Sequence, residues 1–281
     1  MQQLYIAGDW LYKGEDQWFD ENWQSNGTAG WLRHQYSGQR TPIGQGTLSD
    51  LSFLSRLPNL RTFSIALNPI ESLDGIEQLS QLKNVEFRAC PKITDVSALF
   101  DMPSLYLINV NGLKITSIEG IEKLPHLQNL TLSNTQVTDL SPLAALDLTE
   151  ALQDWSGFNL SVDNLEDRLD PAQYQVLSVF PEFWSLNVFN TDCSLWMDAV
   201  KNVKIHEIHA GNCRFTNETF KMFIEQHPEL EYIKVSWTQE LTDISPLLTL
   251  KNLKTACISH DMQKAQESLG DNFPFRLDIE N

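Results

Sequence analysis

The sequence predicts an α/β solenoid, in which a curved parallel β-sheet forms one side and short helical segments form the other. A pattern of apolar residues recurs every 22 or 23 residues, and its first four units begin at Leu60, Leu82, Leu105 and Leu127. Each unit opens with the alternating apolar residues of a short β-strand and continues into a second apolar run at spacing three. Because one unit cannot bury both apolar runs alone, consecutive units must stack on one another.

The strand pattern continues to the end of the chain. After the fourth unit and one irregular stretch, it returns at Phe183, Ile205, Leu230 and Leu253. A solenoid grows along one axis and is not limited by the size of a spherical core. The sequence therefore predicts one continuous solenoid of about nine turns.

Four segments can be distinguished along this solenoid. Residues 1–46 do not fit the repeat, and their tryptophans, among them Trp10 and Trp31, predict an N-terminal cap over the first turn. An aromatic ligand-binding module is the alternative for that segment. Residues 47–148 form the regular short repeats, 149–182 an irregular acidic repeat or insertion, and 183–281 longer repeats followed by a C-terminal cap.

Individual turns resemble leucine-rich repeats. The stretches 138–143 (TDLSPL) and 242–247 (TDISPL) resemble the consensus of the short 22-residue repeats of bacterial internalins. Their prolines, Pro142 and Pro246, suit the start of a short 3₁₀ turn. The unit that opens at Asn212 and Cys213 resembles the longer, cysteine-containing repeats of another branch of this superfamily. The resemblance implies a leucine-rich repeat solenoid that binds another protein, with a full α-helix after Thr216.

Net charge limits the classes of partner. The chain has 37 acidic and 20 basic residues, which gives a formal charge of −17. Such a charge repels nucleic acid and anionic membrane surfaces, so the predicted partner is a basic protein. The sequence has no apolar stretch long enough to cross a membrane, and its first residues lack the pattern of a secretory signal. We therefore expect a cytoplasmic protein.

The sequence predicts no enzyme, cofactor or metal site. It lacks phosphate-binding loops, nucleophile elbows and metal-ligand motifs. His206, Glu207 and His209 share one strand, and a metal or acid–base site there is the alternative to an ordinary polar binding surface. Cys90 and Cys213 occupy the repeat position of Asn68, so we expect them to be buried, unreactive thiols.

The predicted binding surface lies in the second half of the concave face, where the outward side chains of the strands are richest in aromatic residues. Aromatic side chains supply much of the binding energy of protein interfaces. Packing against the acidic insertion is the alternative role for these rings. The predicted partner-binding residues are Trp184, Asn187, Phe189, His206, Glu207, His209, Tyr232, Lys234, Trp237, Asp163, Glu166, Asp167 and Asp170.

The predicted function is non-covalent protein binding through the concave face. An acidic bacterial immunity or inhibitor protein that neutralises a basic toxin fits the charge. The alternatives are an effector or scaffold that binds a host or cellular protein, and a regulatory subunit of an enzyme.

Overall fold

The computed structural model describes residues 2–7, 10–13, 47–149, 157–165 and 169–280. These residues contain twelve strands that form a single sheet. The strands are β1 (Gln3–Ala7), β2 (Trp10–Lys13), β3 (Thr62–Ala66), β4 (Asn84–Arg88), β5 (Leu107–Asn109), β6 (Asn129–Thr131), β7 (Asn159–Ser161), β8 (Glu182–Asn187), β9 (Lys204–His209), β10 (Tyr232–Lys234), β11 (Thr255–Ser259) and β12 (Arg276–Glu280). From β3 to β12 they lie side by side in chain order and run parallel. The predicted parallel solenoid is thus confirmed.

The described residues of the N-terminal segment extend the sheet. Strand β1 pairs parallel with β3, with Leu4 opposite Phe63 and Ile6 opposite Ile65, and β2 returns antiparallel along its other side. Leu4 and Ile6 are buried in the core. Part of the segment expected to be a cap therefore pairs directly with the first repeat. Residues 14–46, which include Trp18, Trp23 and Trp31, lie outside the described residues.

The core lies between the sheet and the helical segments. Register places Phe63, Val85, Ile108, Leu130 and Leu160 opposite one another on successive strands, and each is at most 2% exposed. Fully burying such a side chain contributes roughly 1.5–3 kcal/mol. Stacked identical positions therefore hold neighbouring turns together.

Short helical segments return the chain on the other side of the core. The 3₁₀ segments are Ser52–Arg56, Ile76–Gln78, Ile121–Lys123, Ser141–Ala145, Pro171–Val179 and Ser245–Thr249. The α-helices are α1 (Ser97–Phe100), α2 (Cys193–Val200), α3 (Asn217–Gln226) and α4 (Gln263–Glu267). Pro142 and Pro246 stand at the start of their 3₁₀ segments, as predicted. No helix in this described part of the chain is both long and apolar enough to cross a membrane.

Aspartates fix where several of these segments begin. The carboxylates of Asp95, Asp139 and Asp243 each accept a hydrogen bond, 2.8–2.9 Å long, from the backbone N–H of the serine two residues later. Hydrogen bonds from that serine hold the pKa of each carboxyl below its usual value. Such bonds satisfy the free N–H groups at the start of a helical turn. Part of the negative charge of this chain is therefore structural.

The longest α-helix begins as the sequence predicts. Thr216 and Thr219 form a reciprocal capping box at the start of α3. The buried face of α3 packs Phe223 against Trp196 of α2, with ring centroids 5.6 Å apart. The replacement of short 3₁₀ turns by α2 and α3 distinguishes this part of the solenoid from its first half.

The cysteines at the Asn68 position are structural. The Nδ2 of Asn68 donates to the carbonyl of Ala66 at 2.9 Å, and the Sγ of Cys213 donates to the carbonyl of Val188 at 3.2 Å. Cys90 is likewise completely buried, and burial raises the pKa of its thiol. All four cysteines are buried and free, which agrees with the burial expected of Cys90 and Cys213.

Candidate functional site

The accessible part of the sheet lies in its second half. We use the term sheet face for the side that points away from the core, which is the predicted concave face. On β3 and β4 its polar residues are buried, with Thr62, Ser64, Glu86 and Arg88 at most 6% exposed. On β8, β9 and β10 the corresponding side chains keep partial solvent contact. A partner can therefore reach aromatic and charged groups on β8–β10.

Trp184 and His206 form the first contact across these strands. Their rings stack with centroids 5.1 Å apart. The Nε2 of His206 lies 2.7 Å from Glu182 Oε1, and its Nδ1 lies 4.0 Å from Glu231 Oε1. The imidazole is therefore held between two carboxylates with one face covered by the indole.

Glu207 and Tyr232 stand opposite each other in the next row. Burial raises the pKa of Glu207, and the nearby carboxylate of Glu231 raises it further. Glu231 also pairs with Lys254. This row therefore combines a tyrosine ring with closely spaced carboxylates.

His209 and Lys234 form the third row, with Asn187 on the neighbouring strand. The His209 ring lies 5.0 Å from that of Tyr232. Burial lowers the pKa of His209 to about 4, and the positive charge of Lys234 acts in the same direction. The Nζ of Lys234 is 2.7 Å from Glu280 Oε1. At neutral pH, His209 is thus uncharged beside a paired lysine.

Phe189 and Trp237 line a groove beyond the C-terminal ends of these strands. Their rings meet edge to face at 5.5 Å, and Lys234 Nζ lies 5.3 Å from the indole centroid. The Phe189 ring lies over Gly211, where a Cβ would come within 2.5 Å of it. The groove has a volume of about 540 Å³ and is also lined by Asn190, Asn212, Arg214, Thr238, Gln239, Glu240 and Asp261.

A ladder of asparagine side chains runs along one edge of this groove. Asn164, Asn190 and Asn212 occupy equivalent turns with φ of 54–59°, a left-handed conformation that asparagine tolerates. Asn190 Nδ2 donates to Asn164 Oδ1 at 2.6 Å, and Asn212 Nδ2 donates to Asn190 Oδ1 at 2.8 Å. In the next repeat the same position holds Trp237, with φ 56°.

Asp163 of the acidic segment, predicted to contact a partner, lies inside the solenoid. Asp163 is 8% exposed and accepts hydrogen bonds from Ser133, Ser161 and Asn164. Burial raises the pKa of this carboxyl. Asp163 therefore joins neighbouring turns internally and does not present its charge to a partner.

Asp170 is exposed, and its carboxylate accepts a hydrogen bond from the backbone N–H of Ala172 at 2.9 Å, which caps the segment Pro171–Val179. This is the cap that the sequence predicts. Glu166 and Asp167 lie outside the described residues. The acidic segment therefore contributes one exposed carboxylate, Asp170, to the described surface.

The histidines do not form a metal site with their neighbours. Within the described ranges, no group of three His, Cys, Asp or Glu side chains could hold a metal ion. His206 contacts carboxylates and Trp184, whereas His209 contacts Tyr232 in a separate row. The two histidines thus belong to a polar and aromatic surface.

Several charged groups of this surface are missing from the sequence prediction. Glu182 contacts His206 of the neighbouring strand, and Glu280 of β12 pairs with Lys234 of β10 across β11. Glu231 pairs with Lys254 in the next repeat. Glu240 and Asp261 lie in turns that follow β10 and β11. The only signal for them is their position at the ends of strands in consecutive repeats, where parallel packing brings them together.

Comparisons with known proteins agree with this architecture. The family model described as "Leucine Rich repeats (2 copies)" matches residues 103–145. A search of the curated proteins found no significant match. Among solved structures, the internalin InlF from Listeria monocytogenes superposes with a TM-score of 0.52 at 15% identity, covering 100% of this chain and 82% of that protein.

Two further Listeria monocytogenes structures are similar over part of the chain. The internalin InlC2 has a TM-score of 0.46 at 19% identity and covers 77% of this chain and 78% of its own. The functional domain of InlJ, described as including a cysteine ladder, has a TM-score of 0.39 at 15% identity, and the match covers 85% of this chain and 52% of that domain.

The InlF superposition identifies the fold, and the family model identifies leucine-rich repeats within residues 103–145. Together with the observed stack of parallel strands, they agree with the resemblance seen in the sequence. The chain therefore carries leucine-rich repeats at residues 103–145 and has a solenoid fold similar to that of the internalin InlF.

Proposed function

We propose that this chain is a non-enzymatic protein-binding module that holds a basic partner on the sheet face of β8–β10. The observation that carries the proposal is the group of partly exposed rings on adjacent strands, Trp184, His206 and Tyr232. Rings already packed against neighbours lose little conformational freedom on binding. They are suited to act as interface anchors.

Charge supports a basic partner. Glu182, Glu207 and Glu231 surround His206 on this face, and the whole chain carries a formal charge of −17. The local carboxylates complement a cationic surface, while the net charge accelerates encounter with it. An inhibitor of a basic toxin, as in an immunity protein, would use both effects, and this is the specific role that we propose.

The proposal can be tested by comparing capture by two matched variants. The full-length wild-type protein, a Trp184→Ala/Tyr232→Ala variant and a Met222→Ala control are immobilised and exposed to lysate at low and moderate salt. Met222 lies exposed on α3, away from the sheet face. We expect wild type and control to retain the same basic protein. The double variant should lose it, because removing an interface anchor costs about 2 kcal/mol, or roughly 30-fold in Kd.

Two results would contradict the proposal. Retention of the partner by the folded double variant would place its binding surface elsewhere. Capture that is insensitive to salt would contradict the proposed electrostatic attraction between the chain and a basic partner. The inhibitor role has its own test, since the captured protein should be toxic or catalytically active alone and inactive in the complex.

A further inference from the structure

We infer that the groove between Phe189 and Trp237 binds an arginine side chain of the partner. This inference rests on the proposed function, because it names the group of a basic protein that would be recognised at the edge of the same surface. It follows from three properties of the groove, namely the ring of Trp237 at its wall, the end of the asparagine ladder and the balance of charges along the walls.

Trp237 occupies a backbone conformation that its side chain does not favour. Its φ is 56°, and the equivalent residues of earlier repeats, from Leu67 and Ala89 to Asn190 and Asn212, also have positive φ. The repeat itself therefore sets this left-handed turn, and Trp237 is distinguished by placing a large ring where Asn164, Asn190 and Asn212 carry small amides. The backbone N–H of Trp237 donates a hydrogen bond of 2.6 Å to Ser259 Oγ, which holds the turn. Because the Trp237 ring is only partly buried and lines the groove, packing in the core does not account for a tryptophan at this position.

The asparagine ladder ends at Asn212, whose Oδ1 is a hydrogen-bond acceptor in the groove lined by the Trp237 indole. Asn212 donates its Nδ2 hydrogen to Asn190, and its Oδ1 makes no hydrogen bond to another described residue. In the next repeat Trp237 replaces the asparagine that would have donated to this oxygen. The groove therefore offers an unused carbonyl oxygen next to an aromatic ring.

The charges of the lining favour a cation. Arg214 is already paired with Asp192 at 3.1 Å, and Lys234, which lies over the indole, is paired with Glu280. Glu240 and Asp261 are exposed and form no ion pair within the described ranges. The existing cations are thus compensated, whereas two carboxylates are not.

A guanidinium group matches these properties better than other ligands do. It is planar, stacks on aromatic rings and carries five N–H donors for oxygen acceptors. An ammonium group is a compact, strongly hydrated charge that stacks less well. An anionic ligand would meet Glu240 and Asp261. The groove volume of about 540 Å³ exceeds that of one side chain, so the flanking peptide can also enter.

The test is a titration of the full chain with short capped peptides, followed by NMR. The probes are acetyl-Gly-Arg-Gly-amide and the same peptide with citrulline, which keeps the shape of arginine without its charge. The readout is the indole N–H resonance of Trp237, assigned from its absence in Trp237→Asn. Asparagine suits the left-handed turn, so this variant should remain folded.

We expect the arginine peptide to shift the Trp237 resonance and the citrulline peptide to leave it unchanged. In Glu240→Gln/Asp261→Asn the affinity for the arginine peptide should fall at least fivefold. Glu225→Gln, which removes one exposed charge on α3, should bind like the wild type. Binding of the arginine peptide should disappear in Trp237→Asn, as followed by other groove resonances.

Equal binding of the citrulline peptide, of a glutamate peptide or of a monosaccharide would overturn the inference. Unchanged affinity of Glu240→Gln/Asp261→Asn would overturn it as well, even if Trp237→Asn failed to fold. Failure of the arginine-binding inference can be distinguished from failure of the proposed function. If Trp184 and Tyr232 are required for capture while the arginine peptide does not bind, only the groove assignment is wrong.

Discussion

Replacing His209 by Gln should make the free energy of unfolding less dependent on pH. His209 is packed between Asn187 of β8 and Lys234 of β10, with the Tyr232 ring 5.0 Å away. Burial, and then the charge of Lys234, lower its pKa from 6.5 to about 4, against an opposing effect of Glu280. The native protein therefore keeps this imidazole neutral at pH values where the unfolded chain protonates it.

The sign and size of the effect follow from linkage. Between the folded and unfolded pKa values the unfolded state binds one more proton, so the free energy of unfolding falls as the pH falls through this window. One pH unit is worth about 1.4 kcal/mol for one proton. Between pH 7.5 and 5.5, the pH lies below the unfolded-state pKa of 6.5 for one unit. Protonation of His209 in the unfolded state should therefore lower the free energy of unfolding by up to about 1.4 kcal/mol. The partial solvent contact of the ring makes this an upper bound.

Urea unfolding of wild type and His209→Gln at pH 7.5 and 5.5 measures the difference. The lower pH stays above the usual titration of carboxylates. His227, another buried histidine whose pKa is lowered by burial, remains in both proteins and cancels in the comparison. His260→Gln, at an exposed histidine, is the control for loss of an imidazole elsewhere.

Relative to His209→Gln, the wild type should lose about 1 kcal/mol of stability on going to pH 5.5. An NMR titration should find that the His209 ring stays neutral down to pH 5. A ring that titrates near pH 6.5, or parallel pH dependence of the two proteins, would refute the reasoning.

The other two predictions concern Gly211 and the cysteines. Gly211→Ala should cost about 1–3 kcal/mol, because its Cβ would lie 2.5 Å from the Phe189 ring. In a double-mutant cycle, Phe189→Ala should relieve most of this cost, and purely additive effects would show that the clash is absent. The four buried thiols should react with a disulfide reagent at pH 8 only as the chain unfolds in urea, since burial raises the pKa of Cys257 to about 11. Rapid reaction of any thiol in native buffer would contradict this expectation.

The fold was predictable because one pattern is repeated many times. The strands β3–β6 and β8–β11 coincide with expected units, whereas β7 lies in the stretch expected to be irregular. The 3₁₀ starts at Pro142 and Pro246 follow from local chemistry. A repeat unit contacts only its neighbours, so local sequence determines most of the packing. The pairing of β1 with β3 was not predicted, because Gln3 and Thr62 are separated by a segment that lacks the repeat.

The candidate site was only partly predictable. Alternation correctly places Trp184, His206 and Tyr232 on the sheet face, but it does not reveal how much of that face is exposed. Glu86 and Arg88 lie on the same face of the sheet, on β4, and are buried together as an ion pair. Asp163 is also internal, which a count of acidic residues cannot show. Exposure depends on the packing of segments that are distant in sequence, whereas side-chain alternation depends on the strand alone.

The negative charge of this protein has two separate roles, which kinetics can distinguish. Aspartates such as Asp95 and Asp139 cap helical turns away from the sheet face, so they influence a partner only through the long-range field. Glu182, Glu207 and Glu231 lie among the rings that we propose to contact it. Changes in the long-range field alter mainly the association rate and its salt dependence, whereas loss of a buried contact alters the dissociation rate. In the proposed complex, the −17 charge accounts for attraction of the basic partner, and the rings and carboxylates of β8–β10 supply the specificity.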